Sequence, residues 1–358
     1  SNPPPEGGNN ATLASVVPTA GDTTPTTQEV TLLSTPALDK LPVKKMVCRV
    51  VPGVKITVKG QAEPIERWGD VYEIQNQAEW DALTDWEKKN LVVTYKPPLK
   101  PDLFIPSLHG SGFLISDDGH ILTNQHVVEY WEQFRNNPDI LRRFTQHKGY
   151  ESVIGQIWVI FDGKPYEAEI LHVSKNFDMA VLRAPEYTKQ ARLGRGEEEK
   201  DIARFPLSAS NDVPPVSTIH VLGFPGSGEV ARTLEEKKER NERLKRHRKI
   251  VEVFSADQLT MSNSEGAFGK IKDDSERGRI MQYLTPTSGG NSGSPAVTPN
   301  GVVRGIHTWG LLERQIVGGK VIPPKMRING AGLLLPMRGE IDGAVGASKV
   351  RWIANPDK

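Results

Sequence analysis

Between residues 109 and 345 the apolar residues arrive in short runs broken by Gly, Asp and Asn, with little helical periodicity. Such runs predict a mostly antiparallel β fold, because a strand needs only a handful of residues while an amphipathic helix needs a repeat near 3.6 sustained over several turns. Asp118-Gly119 separates GFLIS from HILTN, and Asp162-Gly163 separates IWVIF from PYEAEIL. Asp-Gly tolerates the positive φ of a two-residue turn, so a tight hairpin is expected at each. Helical patterning is confined to two places. One runs from Val128 to about Arg143; the other is RTLEEKKERNERLKRHRK at 232–249, where Glu236/Arg240, Glu239/Arg243 and Glu242/Arg246 have the favourable i,i+4 order. The second is expected to project as a solvated helix, its acidic half diluting the basic field of RLKRHRK.

Upstream the text changes twice. Residues 1–28, rich in Pro, Thr, Gly and Asn, lack the large apolar groups that would repay ordering and are expected to form a flexible tail. Residues 29–104 carry Trp68, Trp80 and Trp86, and Val50, Val51, Val54, Ile56 and Val58 predict short strands. Asn76 followed by Glu79 gives a capping box for a short helix bearing Trp80 and Leu83. The tryptophans are expected to serve packing. The stretch PPLKPDLFIP marks a boundary near 97–106.

Across all 358 residues, 45 Lys and Arg oppose 44 Asp and Glu, leaving a net charge of +1. A chain so balanced has no overall field to draw it to nucleic acid or anionic lipid. No apolar run approaches the roughly 18 residues of a membrane span, and no charged-then-apolar leader opens the chain. Cys48 is the single cysteine, which excludes an intrachain disulfide and a cysteine-built zinc site. It is expected to be a small buried apolar residue.

Three motifs carry candidate chemistry: TNQHVV at 123–128, NFDMAVLR at 176–183 and TSGGNSGSPAV at 287–297. GNSGSP puts Ser292 between glycines, where a sharp turn leaves the amide hydrogens of Gly290 and Ser292 aimed at one spot, fit to hold the oxyanion of an attacked carbonyl. A serine at its free pKa needs a base, for which His126 is the candidate. A carboxylate must then fix the imidazole tautomer and steady its cation, which Asp178 could do.

The order His, Asp, Ser and the phrases GSGFLISDDGHILTNQHVV, NFDMAVLR, VLGFPG and GGNSGSP resemble the chymotrypsin-like serine proteases, over residues 109–335. The first half is similar to Deg/HtrA-type proteases; MQYLTPTSGGNSGSPAV and GVVRGIHTWG are similar to the bacterial glutamyl endopeptidases. The resemblance implies an all-β fold of two six-stranded antiparallel barrels, with an N-terminal extension and the 232–249 helix as an insertion. It divides the chain into a 1–28 tail, a 29–104 extension, a first barrel at 105–205 and a second at 206–358. It makes Ser292 the nucleophile, His126 the general base and acid, Asp178 its orienting partner, and Gly290 and Ser292 the oxyanion donors. Thr308, Trp309 and Gly310 match the strand that pairs with substrate and walls the specificity pocket, and Thr287 and His307 match the residues that bind an acidic side chain. No metal or cofactor is implied.

Two departures bear on regulation. Asn291 stands where pancreatic-type zymogens carry the aspartate that captures a new N-terminus, so that activation switch is not expected. The stretch after residue 345 is too short for the PDZ domain that follows Deg-type barrels. Protein or peptide substrates and a secreted or periplasmic location are expected. Three functions stay open: a serine endopeptidase cutting after Glu or Asp, a Deg-like protease preferring small apolar residues, and a non-catalytic binding protein on a protease fold. Residues 1–104 are open as a propeptide, a docking module, or early barrel strands behind a long leader; the oligomeric state is open too.

Overall fold

The computed structural model describes residues 37–67, 71–73, 81, 92–94, 102–104, 109–128, 150–193, 202–215, 217–225, 261–274, 278–285, 287, 290–311, 315–317, 320–322 and 328–357. The tail at 1–28, the three tryptophans, the helix expected from Asn76 apart from Asp81, the helix expected at 232–249, and all of the 128–143 helix beyond Val128 lie outside them.

Two closed six-stranded antiparallel barrels form the body. The first contains β1 (Val47–Val58), β2 (Gly110–Leu114), β3 (His120–Thr123), β4 (Tyr150–Phe161), β5 (Lys164–Val173) and β6 (Ala180–Arg183). Its strands run β1-β2-β3-β6-β5-β4 and close where β4 pairs back onto β1, from Arg49↔Ile160 to Val58↔Tyr150. The second contains β7 (Thr218–Gly223), β8 (Ser262–Asp274), β9 (Gly278–Leu284), β10 (Pro295–Val297), β11 (Val303–Leu311) and β12 (Ile328–Leu333). Its order, β7-β8-β9-β12-β11-β10, is the same connectivity repeated. Among the described residues, helix α1 (Pro185–Leu193) follows the first barrel and helix α2 (Leu334–Val345) follows the second. No helix among the described residues is long and apolar enough to cross a membrane.

One expectation is corrected. The first barrel does not begin at residue 105, because β1 lies within the stretch read as a separate extension. Val47–Val50 pair with β2, and the strand pairs with β4 along its length. The apolar positions of 47–58 mark one twelve-residue strand, which reads as short strands locally because Pro52 and Gly53 interrupt it. Both expected hairpins form: Asp162 and Gly163 have φ of 47° and 77° between β4 and β5, and Gly119 has φ of 85° between β2 and β3.

The burial pattern explains why some runs are wholly apolar. Every residue of β2 and β3 is buried. Leu114, Ile121, Ala180 and Leu182 fill the first barrel together with Cys48. Their neighbours Phe113, Leu122 and Val181 face a second cluster with Leu222, Val297 and Ile306 of the other barrel. Helix α2 adds Leu334, Met337, Ile341 and Val345 to that shared cluster, at spacings that keep them on one helical face. Ile219, Val221, Met281, Tyr283, Ala296 and Leu333 fill the second barrel. Cys48 is fully buried and its thiol pKa is pushed up by that burial, as expected of an inert side chain.

A polar clamp also joins the halves. Glu340 on α2 accepts hydrogen bonds from His172 Nε2 at 2.7 Å and Asn176 Nδ2 at 2.9 Å, both from the first barrel. Burial pushes the Glu340 carboxyl pKa up, but hydrogen bonds from His172, Asn176 and Ser174 outweigh it and hold the group below its ordinary value. The unfolded chain therefore binds this proton more readily. The clamp's contribution is present above about pH 4.5 and is lost as pH falls through the lower folded-state pKa.

Phe113→Ala, which empties a fully buried ring packed edge-on against Phe205, is expected to lower the unfolding free energy by about 3–5 kcal/mol in urea titrations. Across pH 3–6 the same titrations should show Glu340→Gln losing less stability on acidification than the parent chain.

Candidate active site

Asp178 sits in the loop between β5 and β6, and that loop is built to hold still. The Ser174 hydroxyl accepts the N–H groups of Asn176 (3.1 Å) and Phe177 (3.0 Å), a side-chain turn that folds the loop back, and the Ser174 N–H donates to Met179 O at 3.0 Å. Phe177 packs on the shared core and Asn176 is held by Glu340. From the other side the buried Asn124 donates through Nδ2 to the Asp178 carbonyl at 2.8 Å. The Asp178 carboxylate is thereby presented to His126.

His126 lies in the helical turn after β3, directly behind Thr123-Asn124. Its ring Nδ1 lies 3.0 Å from Asp178 Oδ1 and 2.9 Å from Oδ2, and its backbone N–H donates to Oδ1 at 3.1 Å. With Nδ1 engaged as a donor, Nε2 of the neutral ring carries the free lone pair, which is the arrangement a general base needs. Asp178 is mostly shielded, at 17% side-chain exposure, whereas His126 is open at 46%, so the ring has room to meet a reactant.

Ser292 belongs to the second barrel, in the turn leading into β10. The Ser111 N–H on β2 donates to Ser292 O at 2.7 Å, and the Ser111 hydroxyl donates to Gly290 O at 2.8 Å while accepting the Phe224 N–H at 2.9 Å. One buried residue of the first barrel thus grips the turn at two points. The approach is close enough to dictate glycines. At Gly110 a Cβ would meet Val127 Cγ2 at 2.6 Å and Ser292 O at 2.9 Å, so the residue after His126 and the Ser292 carbonyl press on the same small position. At Gly293, with φ of 88°, a Cβ would lie 2.0 Å from Ser111 O.

Gly290 has φ of 95°, and among the described residues neither its N–H nor that of Ser292 donates to a protein acceptor. Both donors are available to an anionic oxygen. The Ser292 hydroxyl donates to Thr308 O at 3.0 Å rather than to the imidazole, so a rotation of its side chain separates this arrangement from one engaged with His126.

The remaining expected positions lie on β11 and, for Thr287, in the connection between β9 and Ser292. His307 N–H donates to Ser294 O and His307 O accepts the Gly293 N–H, both at 2.8 Å, which packs the histidine behind the turn. His307 as a residue is 1% exposed; burial, then the nearby His126, pulls its pKa down to about 3, so the ring is uncharged. Tyr283 Oη lies 2.6 Å from His307 Nδ1. Thr308 is buried, its hydroxyl donating to Gly330 O at 3.2 Å, and Trp309 and Gly310 continue the ladder opposite Gly330 and Asn329. Thr287 is half-buried.

Sequence reasoning missed Ser111, Asn124, Ser174, Glu340 and Tyr283. Asn124, Ser111 and Ser174 lie within or beside the quoted motifs, where a buried hydroxyl or amide could have been asked for its partner. Glu340 carries no sequence signal, because its link to the Asp178 loop spans 164 positions. A concavity of about 880 Å3 on the outer face of the first barrel, lined by Ile154, Gln156, Glu169, Leu171 and Glu186, involves none of these residues.

The trypsin-like peptidase domain family matches residues 110–306. A glutamyl endopeptidase of Staphylococcus aureus strain MRSA252 is 28% identical over 225 residues, 61% of this chain and 47% of that protein. Its counterpart in strain MW2 is 28% identical over the same length, 61% of this chain and 51% of that protein. The chain thus spans about half the length of the curated relatives it matches. Among solved structures, an HtrA-type protease with a decapeptide gives a TM-score of 0.41 at 13% identity, covering 83% of this chain and 63% of that one. A protease of Mycobacterium tuberculosis in its active form gives 0.40 at 14% identity, covering 86% and 81%.

Asn124→Ala removes the donor to the part-buried Asp178 carbonyl. It is expected to lower the unfolding free energy by about 1–3 kcal/mol and to weaken the downfield proton NMR signal of His126 Nδ1–H.

Proposed function

Because the chain belongs to the trypsin-like peptidase domain family, we propose that it is a serine endopeptidase that forms an acyl-enzyme at Ser292 and cuts after glutamate, and less readily after aspartate. The observation that carries the proposal is the paired imidazole and carboxylate of His126 and Asp178, packed through Val127 and Gly110 against the turn that bears Ser292.

In this reading Ser292 Oγ rotates away from Thr308 O and attacks the scissile carbonyl carbon while His126 Nε2 takes its proton. Asp178 keeps the Nδ1 hydrogen in place and stabilises the imidazolium. The N–H groups of Gly290 and Ser292 receive the negative charge that develops on the carbonyl oxygen. His126 then delivers the proton to the departing amine, and water repeats the sequence on the acyl-enzyme. Every proton is accounted for by these side chains and water, so no metal or cofactor enters the steps.

For specificity, the Thr287 hydroxyl and the His307 ring are the donors that meet a substrate carboxylate, and Thr308, Trp309 and Gly310 offer the strand along which substrate extends. Support comes from the pocket residues and from the similarity to proteins named glutamyl endopeptidases. Substrates are proteins or peptides.

Cleavage-site mapping by mass spectrometry of a complex peptide library should show cuts after Glu that disappear with Ser292→Ala. His307→Val should reduce the Glu preference by about tenfold or more while leaving active-site labelling by a fluorophosphonate intact. Cuts spread over small apolar residues would favour the Deg-like alternative, and no cuts with no labelling would favour a binding protein.

A further inference from the structure

Tyr283 and His307 face each other inside the second barrel, two strands apart. Tyr283 on β9 pairs with Asn329 on β12, and His307 on β11 pairs with Ala331 on the same strand. The small residue Ala331, which pairs with His307, lies on β12 between the two strands and lines the same interior cluster as Tyr283. The rings are 6.0 Å apart at their centroids and tilted by 44°, so the contact is a directed hydrogen bond rather than stacking.

The direction of that bond follows from the donors available. Tyr283 is 1% exposed, and among the described residues the only hydrogen-bond partner of its hydroxyl is His307 Nδ1. Were Nδ1–H to donate, the phenolic hydrogen would be buried without an acceptor, which proteins avoid. Burial also raises the Tyr283 pKa, so the phenol keeps its proton, while it holds the imidazole uncharged. The hydroxyl therefore donates, Nδ1 accepts, and the one ring hydrogen of His307 resides on Nε2.

We infer that Tyr283 is a positioning residue for specificity: by donating to Nδ1 it fixes His307 as a neutral Nε2–H donor, which recognises an acceptor oxygen on the substrate side chain rather than a full negative charge. This rests on the reading of His307 as a substrate-binding residue. Its chemical consequence is a substrate class wider than acidic residues. The carbonyl oxygen of a glutamine side chain accepts the same hydrogen bond, and Thr287, whose hydroxyl both donates and accepts, accommodates either a carboxylate oxygen or an amide. Because a hydrogen bond to a charged acceptor is stronger than one to a neutral acceptor, glutamate still leads, by about tenfold. A pocket built on an imidazolium would instead leave a buried charge unpaired when glutamine enters and would reject it far more strongly.

Two measurements test this on the full chain. The first is the tautomer of His307 by 15N-edited NMR in the Ser292→Ala protein, with and without Tyr283→Phe. The Nε2–H tautomer is expected as a single neutral form, shifting towards a mixture when the phenol is lost. The second is kcat/KM on peptides differing only in Glu, Gln or Ala before the cut, for the active chain and its Tyr283→Phe variant. The active chain should cleave Glu and Gln peptides both faster than Ala, and Tyr283→Phe should lower kcat/KM for Glu and Gln together by about tenfold relative to Ala.

A proton on Nδ1, a protonated ring, or a Glu-over-Gln ratio beyond about a thousandfold overturns the inference, as does a Tyr283→Phe variant with unaltered tautomer and preference. The two readings separate cleanly. If the active chain prefers neither Glu nor Gln over Ala while NMR reports the Tyr283-dependent Nε2–H form, the specificity reading fails and the tautomer assignment stands. If the Glu preference is present but indifferent to Tyr283, the specificity reading stands and the inference fails.

Discussion

Leu114, Ile121, Ala180 and Leu182 fill the first barrel while their chain neighbours Phe113, Leu122 and Val181 press on the second, so β2, β3 and β6 up to Leu182 have no face left for water. Burying both faces of three short strands removes far more apolar surface than a one-sided sheet would, at roughly 25 cal/mol per Å2. It also fixes the relation of the two barrels, because interdigitated side chains at native density cannot slide without opening voids. The chemistry inherits this rigidity. His126 follows β3, Asp178 precedes β6 and Ser292 precedes β10, so all three leave strands whose positions the shared core decides.

Rigidity is finished by polar contacts with no slack. Ser111 belongs to β2 yet holds both Ser292 O and Gly290 O, and Asn124 and Ser174 hold the Asp178 loop from two sides. Each is a buried group whose loss would strand a partner, which is costlier than the modest net value of a hydrogen bond. Glu340 extends the grip to α2, so a helix that follows the second barrel steadies a loop of the first. The mutual geometry of His126, Asp178 and Ser292 is therefore a property of the whole body, not of three motifs.

The contrast between the two histidines follows from their surroundings. His126 is open and backed by a carboxylate, an arrangement suited to gaining and losing a proton. His307 is enclosed, uncharged and tied to a phenol, an arrangement suited to holding one hydrogen in a fixed place. Identical side chains thus meet unlike surroundings: burial penalises charge at His307, while His126 stays open beside a carboxylate.

Much of this was legible in the sequence, for local reasons. Asp162-Gly163 specifies its turn through backbone φ, and TNQH, NFDMAVL and GNSGSP each name a residue type with its turn or strand. Those signals are short in range and survive without the fold. The place of residues 47–58 was not legible, because a strand with Pro52 and Gly53 at its centre declares itself only through its partners β2 and β4. Nor were Glu340, Ser111 and Tyr283, whose roles are hydrogen bonds to residues 164, 179 and 24 positions away. The chemical vocabulary of the site is set by residue type and local turn, which the sequence determines alone; the protonation state, tautomer and mutual aim of those groups depend on burial and long-range pairing, which exist only once the barrels close.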